Sequence, residues 1–380
     1  MIKYKKITLS IIAVGLWICS CVEPFNLNVE SNLRLLTVDA TLTDTVDEQK
    51  ITITESVNAN GIVYSFPILK ASVEILVNGT EKLTFIEKGL VKYTLPLDFK
   101  LKAGSNYKLF FSKADGTKYE SGEEKLVTVP EIVKVHDEFK IDGIAKGNSF
   151  DPANYVYLDI KDPANDQNNY YWTWQLWERQ DVCISCEGGR YLESPPPAQC
   201  KVESQHSGTV FDYYCKGDCW EIFYNEDLNV FNDIYSNGTD LNNRLIAKIP
   251  YYSANGALME IKQQSISPAA YRYLKLLADQ VQNTGSLVDT PPAAIVGNIK
   301  NMTNPAEAIV GFFMVTSIRS TQYWIDRKEP IQKKIKPVGL RNHSYSQEPS
   351  TGALETGRPP LVPCIFSAKR TPIKPKGWVN

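Results

Sequence analysis

Histidine is scarce in this sequence: the chain has three, His136, His206 and His343, and they lie far apart. None belongs to a motif that would pair a nucleophile with its base, and the GxSxG, HExxH, GxGxxG and P-loop motifs are also missing. His206 lies near several cysteines, where it could be a metal ligand or a solvated loop residue. Because no catalytic constellation is recognisable, we expect a protein that is not an enzyme and has no cofactor.

Net charge is nearly absent as well, since 41 Lys and Arg stand against 43 Asp and Glu and leave a formal charge of −2. Nucleic-acid binding depends on clustered cations that displace counterions from phosphates, so this function class is excluded. The small sum conceals an acidic body, residues 21–330 with a charge of −12, and a basic tail, residues 331–380 with +7. This Pro-rich tail can pack back on the body, or it can dock on a partner or on membrane phosphates.

Long apolar runs are missing beyond the N-terminus. Residues 1–20 contain three lysines and then an apolar stretch of about twelve residues, which is shorter than the roughly 20 that a spanning helix needs. This order is typical of a signal peptide, and we expect residues 21–33 to follow it as a polar tether.

The end of this leader resembles the lipobox of bacterial lipoproteins, because Ile18 and Ser20 precede Cys21 at the aliphatic and small positions of that pattern. The resemblance implies that Cys21 is acylated, with palmitate or a similar chain, and becomes the mature N-terminus. Cys19 competes less well because Ile18, the residue before it, is not small. Two or more acyl chains give stable attachment, so we expect an anchored protein that does not span the membrane.

Six cysteines remain after the leader and the lipidated residue are set aside. An even number in an exported chain predicts disulfides and leaves their connectivity open. The spacing of the first two and the last two within the cluster also resembles a zinc ribbon, and a redox-active C-x2-C pair is a further alternative. We expect disulfides and no metal. The six are Cys183, Cys186, Cys200, Cys215, Cys219 and Cys364.

Short runs of β-branched and aliphatic residues, separated by turns such as Asn78-Gly79, predict a mainly β protein. We expect two β-sandwich-like domains of immunoglobulin-like or fibronectin-like type. Ser267 as an N-cap and Pro268 at the first helical position mark one helix. The predicted ranges are 34–130 for the first sandwich, 131–330 for the second β-rich domain, 181–224 for its Cys-rich insertion, 268–282 for its helix and 331–380 for the tail.

Aromatic residues crowd the segment 170–178 and the insertion that follows it. Exposed rings beside polar residues are what sugar or peptide ligands stack on, although the same rings can instead fill the core and cover the disulfides. The residues we single out as ligand-binding candidates are Trp172, Trp174, Trp177, Tyr213, Tyr214 and Trp220.

Several segments resemble the DUF4249 family of Bacteroidota lipoproteins: the start SCVEP, the stretch TPPAAIVGNI at 290–299 and the ending PCIFSAKRTPIKPKGW at 363–378. The resemblance covers essentially the whole chain. It implies an outer-membrane lipoprotein of the cell envelope, periplasmic or surface-facing, that associates with a TonB-dependent β-barrel receptor, and it supplies no catalytic residue. The expected role is therefore an accessory or ligand-capture subunit. The alternatives are a surface adhesin or polysaccharide-binding lipoprotein and, less expected, an envelope hydrolase.

Replacing Cys21 with Ala should abolish acylation and release the protein from membranes, because the lipid is the expected anchor. Incorporation of labelled palmitate and detergent partitioning measure this, with Cys19→Ala as the matched control that keeps its label. Retention of the label in the Cys21 variant would contradict the assignment.

Overall fold

The structure, a computed structural model, describes residues 34–59, 62–164, 167–193, 196–282, 295–340, 346–347 and 361–379. The predicted signal peptide, the tether with Cys21, and His343 lie outside these residues. The described chain is mainly β, as the sequence predicts. Among the described residues, no helix has both the length and the apolar character needed to cross a membrane.

The strands up to residue 125 are short and follow one another through turns. They are β1 (Arg34–Thr43), β2 (Lys50–Ala59), β3 (Ile62–Pro67), β4 (Ser72–Val77), β5 (Glu81–Thr84), β6 (Ile86–Lys88), β7 (Lys92–Thr94), β8 (Asn106–Ser112) and β9 (Lys118–Lys125).

The strands from residue 132 to residue 232 include the long strands of the second unit and the short strands of the Cys-rich insertion. They are β10 (Ile132–Lys146), β11 (Ser149–Ile160), β12 (Asn169–Arg179), β13 (Val182–Glu187), β14 (Gly189–Leu192), β15 (Gln199–Val202), β16 (Val210–Tyr214), β17 (Trp220–Tyr224) and β18 (Asn229–Asn232). A single 3₁₀ turn, Ser204–His206, lies between β15 and β16.

The remaining elements include the two α-helices of the described chain. They are β19 (Leu241–Pro250), β20 (Ala257–Ser265), α1 (Pro268–Gln282), β21 (Ile299–Asn301), β22 (Ile309–Ile325), α2 (Lys328–Gln332), β23 (Ser346–Gln347) and β24 (Arg370–Thr371).

Two sheets enclose the first core. One has the order β21-β9-β8-β4-β5, and the other contains β1, β2, β3, β7 and β6. Alternation along β1 points Leu36, Val38, Ala40 and Leu42 inward, because successive side chains of a strand face opposite sides. The predicted N-terminal sandwich is therefore present.

A second pair of sheets encloses the second core. The sheet β10-β11-β19 faces the run β17-β12-β20-β22, and β18 pairs beside β12. β12 carries the aromatic-rich segment, and it is a central strand with Trp172 and Leu176 in the core.

β22 belongs to both sandwiches. Residues 309–316 pair in parallel with β1, and residues 317–325 pair antiparallel with β20. β21 likewise joins β9 of the first sandwich. Residues 299–301 and 309–316 thus complete the first sandwich, although the sequence pattern places them in the second domain. Local periodicity marks a strand and does not identify its partner.

Gly311 makes the close parallel contact between β22 and β1 possible. Its φ of +117° lies in a region that L side chains rarely adopt, and a Cβ there would lie 1.9 Å from the Val38 carbonyl oxygen. Gly297 is constrained by space alone, since a Cβ there would lie 1.7 Å from the Gly311 carbonyl oxygen.

The helix α1 begins as the sequence predicts. The Ala270 backbone N–H donates to the Ser267 hydroxyl at 3.0 Å, which is an N-cap bond. Its face packs Ala270 and Leu274 against Met314 of β22, so the helix covers the strand that the two sandwiches share.

Glu124 is a buried carboxyl where the sandwiches meet. It lies on β9, its side chain hydrogen-bonds with Ser267 and Asn298, and its Oε2 has no partner. Burial is the main cause that raises the pKa of Glu124 to about 7, and the two hydrogen bonds oppose it.

This raised pKa predicts a pH-dependent stability. The native state holds the proton more tightly than the unfolded state, so the contribution is fully present below pH about 4.5 and is lost as the pH rises through about 7. Glu124→Gln should therefore raise the free energy of unfolding at pH 8 by about 2–3 kcal/mol and change it little at pH 4. Urea unfolding at both pH values measures this. The same difference in the free energy of unfolding between variant and wild type at pH 4 and pH 8 would contradict the prediction.

Candidate ligand-binding cleft

The Cys-rich insertion is held by disulfides, which confirms that prediction. The pairs are Cys183–Cys215, Cys186–Cys200 and Cys219–Cys364. The sulfurs of Cys183, Cys219 and Cys364 lie within 4.8 Å of one another. This closeness comes from two neighbouring disulfides, and bonded sulfurs are not the thiolates that a zinc ribbon needs.

The described end of the tail, residues 361–379, packs back on the body. Cys364 bonds to Cys219, and Arg370 forms an ion pair with Glu221 at 2.8 Å. The Trp378 ring stands edge-on to Trp220 and Trp324, with centroids 5.8 and 5.0 Å away. The sequence left open whether the tail packs on the body or docks on a partner or membrane. Residues 361–379 pack on the body.

Three of the six aromatic candidates are core residues. Trp172, Tyr213 and Trp220 are almost fully buried. The Trp172 Nε1–H donates to Gln263 at 3.1 Å, and the Tyr191 backbone N–H donates to the Tyr213 hydroxyl at 2.8 Å. Tyr213 packs among the disulfides, so the core-filling alternative holds for these rings.

The other three candidates do not share one surface. Trp174 is half-buried, while Trp177 is half-buried on the opposite face of β12 because three positions separate the two. Tyr214 is 40% exposed and lines a separate depression of about 410 Å³ beside Arg179 and Asp181. The structure thus brings together only Trp172 and Trp174 in one cleft.

This cleft has a volume of about 370 Å³ and opens between β18 and β19, the edges of the two sheets of the second sandwich. Trp172 and Trp174 form one side, residues 225–230 a second and residues 244–248 a third. The Asn229 amide donates to the Leu245 carbonyl oxygen at 2.9 Å and thereby joins the two edges.

Arg244 is the cleft residue that sequence reasoning missed. Its guanidinium carbon lies 5.2 Å from the centre of the Trp172 ring and 5.3 Å from that of Phe231, which is cation–π distance. Nη2 donates to the Asn229 side chain and to the Val230 carbonyl oxygen, whereas Nε is buried without a partner. Burial lowers the pKa of Arg244. Its sequence signal is weak, since Arg244 is one of two basic residues in the strand LNNRLIAKIP.

The remaining charges of the cleft are exposed. Lys248 lies with its Nζ 4.9 Å from the centre of the Tyr155 ring, and Glu226 and Asp227 lie on the loop opposite. A β-bulge at Ile246 interrupts the pairing of β19 with β11 between Arg244 and Lys248. Bulges of this kind redirect side chains, and they are common next to functional sites.

The described histidines do not form a site. His206 lies 3.4 Å from Glu203 and stands edge-on to Phe211, while His136 contacts Asn243 at 3.0 Å in a different sheet. His206 therefore has an acidic neighbour and no cysteine ligand partner. Arg179, in the other depression, lies 3.2 Å from Asp218 and so has a counter-ion, whereas Arg244 forms no ion pair with any of the described residues.

A comparison with known protein families finds a match, and the matched residues include strands of both sandwiches. The profile of the family described as Domain of unknown function (DUF4249) matches residues 22–322. This range includes the insertion and the cleft, and it ends within β22, before the described end of the tail. No curated protein matches the chain.

Removing the Cys219–Cys364 disulfide by a double Ala substitution should lower the free energy of unfolding by about 2–4 kcal/mol and expose residues 361–379 to protease. The bond closes a separation of 145 residues. The matched control is the double Ala variant of Cys186–Cys200, which closes 14 residues and does not hold the tail. Urea unfolding and limited proteolysis with mass mapping measure both effects. A tail that stays protected in the first variant, or is cleaved equally in both, would contradict the assignment.

Proposed function

Because the chain belongs to the DUF4249 family, whose description names no activity, we propose its role from its own features. It is a non-catalytic lipoprotein of the cell envelope that captures a ligand beside a TonB-dependent outer-membrane transporter. Cys21 carries the lipid that tethers it there.

The cleft between β18 and β19 is the observation that carries this proposal. An aromatic wall combined with a few polar groups is the usual composition of a small-molecule site, and a volume of about 370 Å³ suits a ligand of one or two rings. The half-buried Trp174 offers a ring for stacking, and Asn225 and Asn229 offer amides.

The oxidised cysteines support the placement outside the cytoplasm. Disulfides persist in exported proteins and are rare where thioredoxin and glutathione keep thiols reduced. All six cysteines of the second sandwich and tail are paired. The lipobox-like end of the leader supports the same compartment.

Binding of a surface polysaccharide without any transporter is the second candidate function. The same aromatic cleft favours it, because sugar rings stack on Trp side chains. The presence or absence of a bound β-barrel receptor therefore distinguishes the two roles.

Purification of the tagged, full-length protein from gently solubilised outer membranes should recover a β-barrel receptor in stoichiometric amount. Trp174→Ala should keep the receptor, because its ring lies inside the cleft, while it reduces retention of the native ligand. The Cys21→Ala variant is the control that loses membrane placement and with it the receptor. Recovery of the anchored protein without any receptor would contradict the accessory role and favour the polysaccharide-binding one.

A further inference from the structure

We propose that the cleft binds a ligand through a carboxylate, with Arg244 as the residue that holds this group. The inference rests on the proposed ligand-capture role and deepens it by naming the chemical class of the ligand. The ligand presents one carboxylate next to a ring or other flat surface that can lie on Trp174.

The first argument is an unneutralised charge. Buried or half-buried guanidinium groups in proteins are normally paired with a carboxylate, because removing the charge from water is costly. Arg327 follows this rule: it is fully buried and forms an ion pair with the fully buried Glu178. Arg244, in contrast, forms no ion pair with any carboxylate of the described chain, and its protein acceptors are an amide and a carbonyl oxygen.

The second argument is which donors are free. Nη2 makes both hydrogen bonds of the guanidinium, and these hold the group in place. Nη1 donates to no described residue, while Arg244 lines the open cleft. Hydrogen bonds between Arg and a carboxylate are about twice as strong as neutral ones, so this nitrogen is suited to an anionic ligand.

The third argument is that the rings fix the guanidinium before the ligand arrives. The group lies against both Trp172 and Phe231 at cation–π distances, and the two rings also contact each other, with centroids 6.5 Å apart. Asn229 joins the strand carrying Arg244 to β18 through its bond to the Leu245 carbonyl oxygen. A positioned donor loses little conformational entropy on binding, which favours affinity for a small ligand.

The surrounding charges limit what kind of anion fits. Lys248 adds a second cation, and the exposed carboxylates of Glu226 and Asp227 equal the two cations in number, so the formal charges of these four cleft residues sum to zero. A polyanion such as a nucleotide or phosphate would be repelled by the two acidic side chains. A ligand with a single carboxylate carries less negative charge, so the same two side chains repel it less while it meets Arg244.

Titration of the mature, full-length protein with two matched pairs of probes tests the proposal. The sugar pair is methyl β-D-glucuronide and methyl β-D-glucoside, and the peptide pair is acetyl-phenylalanine and its amide. Within each pair the members differ by the ionised carboxylate. Tryptophan fluorescence and calorimetry should show at least tenfold tighter binding of the carboxylate in one pair, and that pair identifies the source of the ligand. Inorganic phosphate should bind at least tenfold more weakly than that carboxylate.

Variants then locate the effect. Arg244→Gln should weaken binding of the carboxylate probe at least tenfold. It should change the affinity for the neutral probe of the same pair less than twofold. Trp174→Ala should weaken both members. Arg319→Gln, at an exposed position of β22 outside the cleft, is the matched control and should change neither. If Arg244→Gln fails to fold, Lys248→Gln should still reduce carboxylate affinity about two- to threefold.

Equal affinity within both pairs, or no binding of any probe, would overturn the proposal, as would unchanged carboxylate affinity in a folded Arg244→Gln protein. These results are separate from the test of the proposed function. Equal binding of neutral and charged probes together with a recovered receptor leaves the accessory role intact and removes only the ligand class. Selective binding of the carboxylate probes without a recovered receptor supports the ligand class and contradicts the accessory role.

Discussion

The shared strand β22 is the constraint on which the rest of the structure depends. One run of 17 residues pairs in parallel with β1 and then antiparallel with β20, so a single backbone belongs to the cores of both sandwiches. Ile309 and Phe313 lie in the first core, and Ile325 lies in the second. The parallel half forms only because Gly311 lets the two backbones approach closely. The two sandwiches are consequently joined by backbone hydrogen bonds and packing, and not merely by a linker.

The insertion and the tail are stabilised in a different way. Their buried cluster contains few aliphatic side chains, and the disulfides form a large part of it. A small core buries too little apolar surface to offset the entropy of ordering the chain, and cross-links reduce that entropy in the unfolded state. Cys219–Cys364 also brings residues 361–379 back to β17, where Arg370 meets Glu221. The acidic body and the basic tail thus meet at a defined pair of side chains.

Much of the fold could be predicted from sequence because its signals are local. Strand alternation, the turns, and the cap at Ser267 identify the first sandwich and the helix α1, and an even cysteine count after a leader that resembles a signal peptide predicts disulfides. The cleft is only partly predictable: of the six aromatic candidates Trp172 and Trp174 line it, and Trp172, like Tyr213 and Trp220, is a buried core residue. A ring carries the same sequence signal whether it is buried or stacks on a ligand, and only packing against other strands separates the two.

The sequence by itself determined the mainly β class, the six cysteines available for pairing, the capped helix and the absence of a recognisable catalytic motif, because each depends on residue type and on neighbours along the chain. Only the tertiary structure decided that residues 309–316 complete the first sandwich, which cysteines pair, and that Arg244 lies against two rings with no ion pair to a carboxylate of the described chain. Arg244 and Trp172 are 72 residues apart in the sequence. Their contact exists because β12 and β19 belong to facing sheets, and no local pattern encodes which strands will face each other.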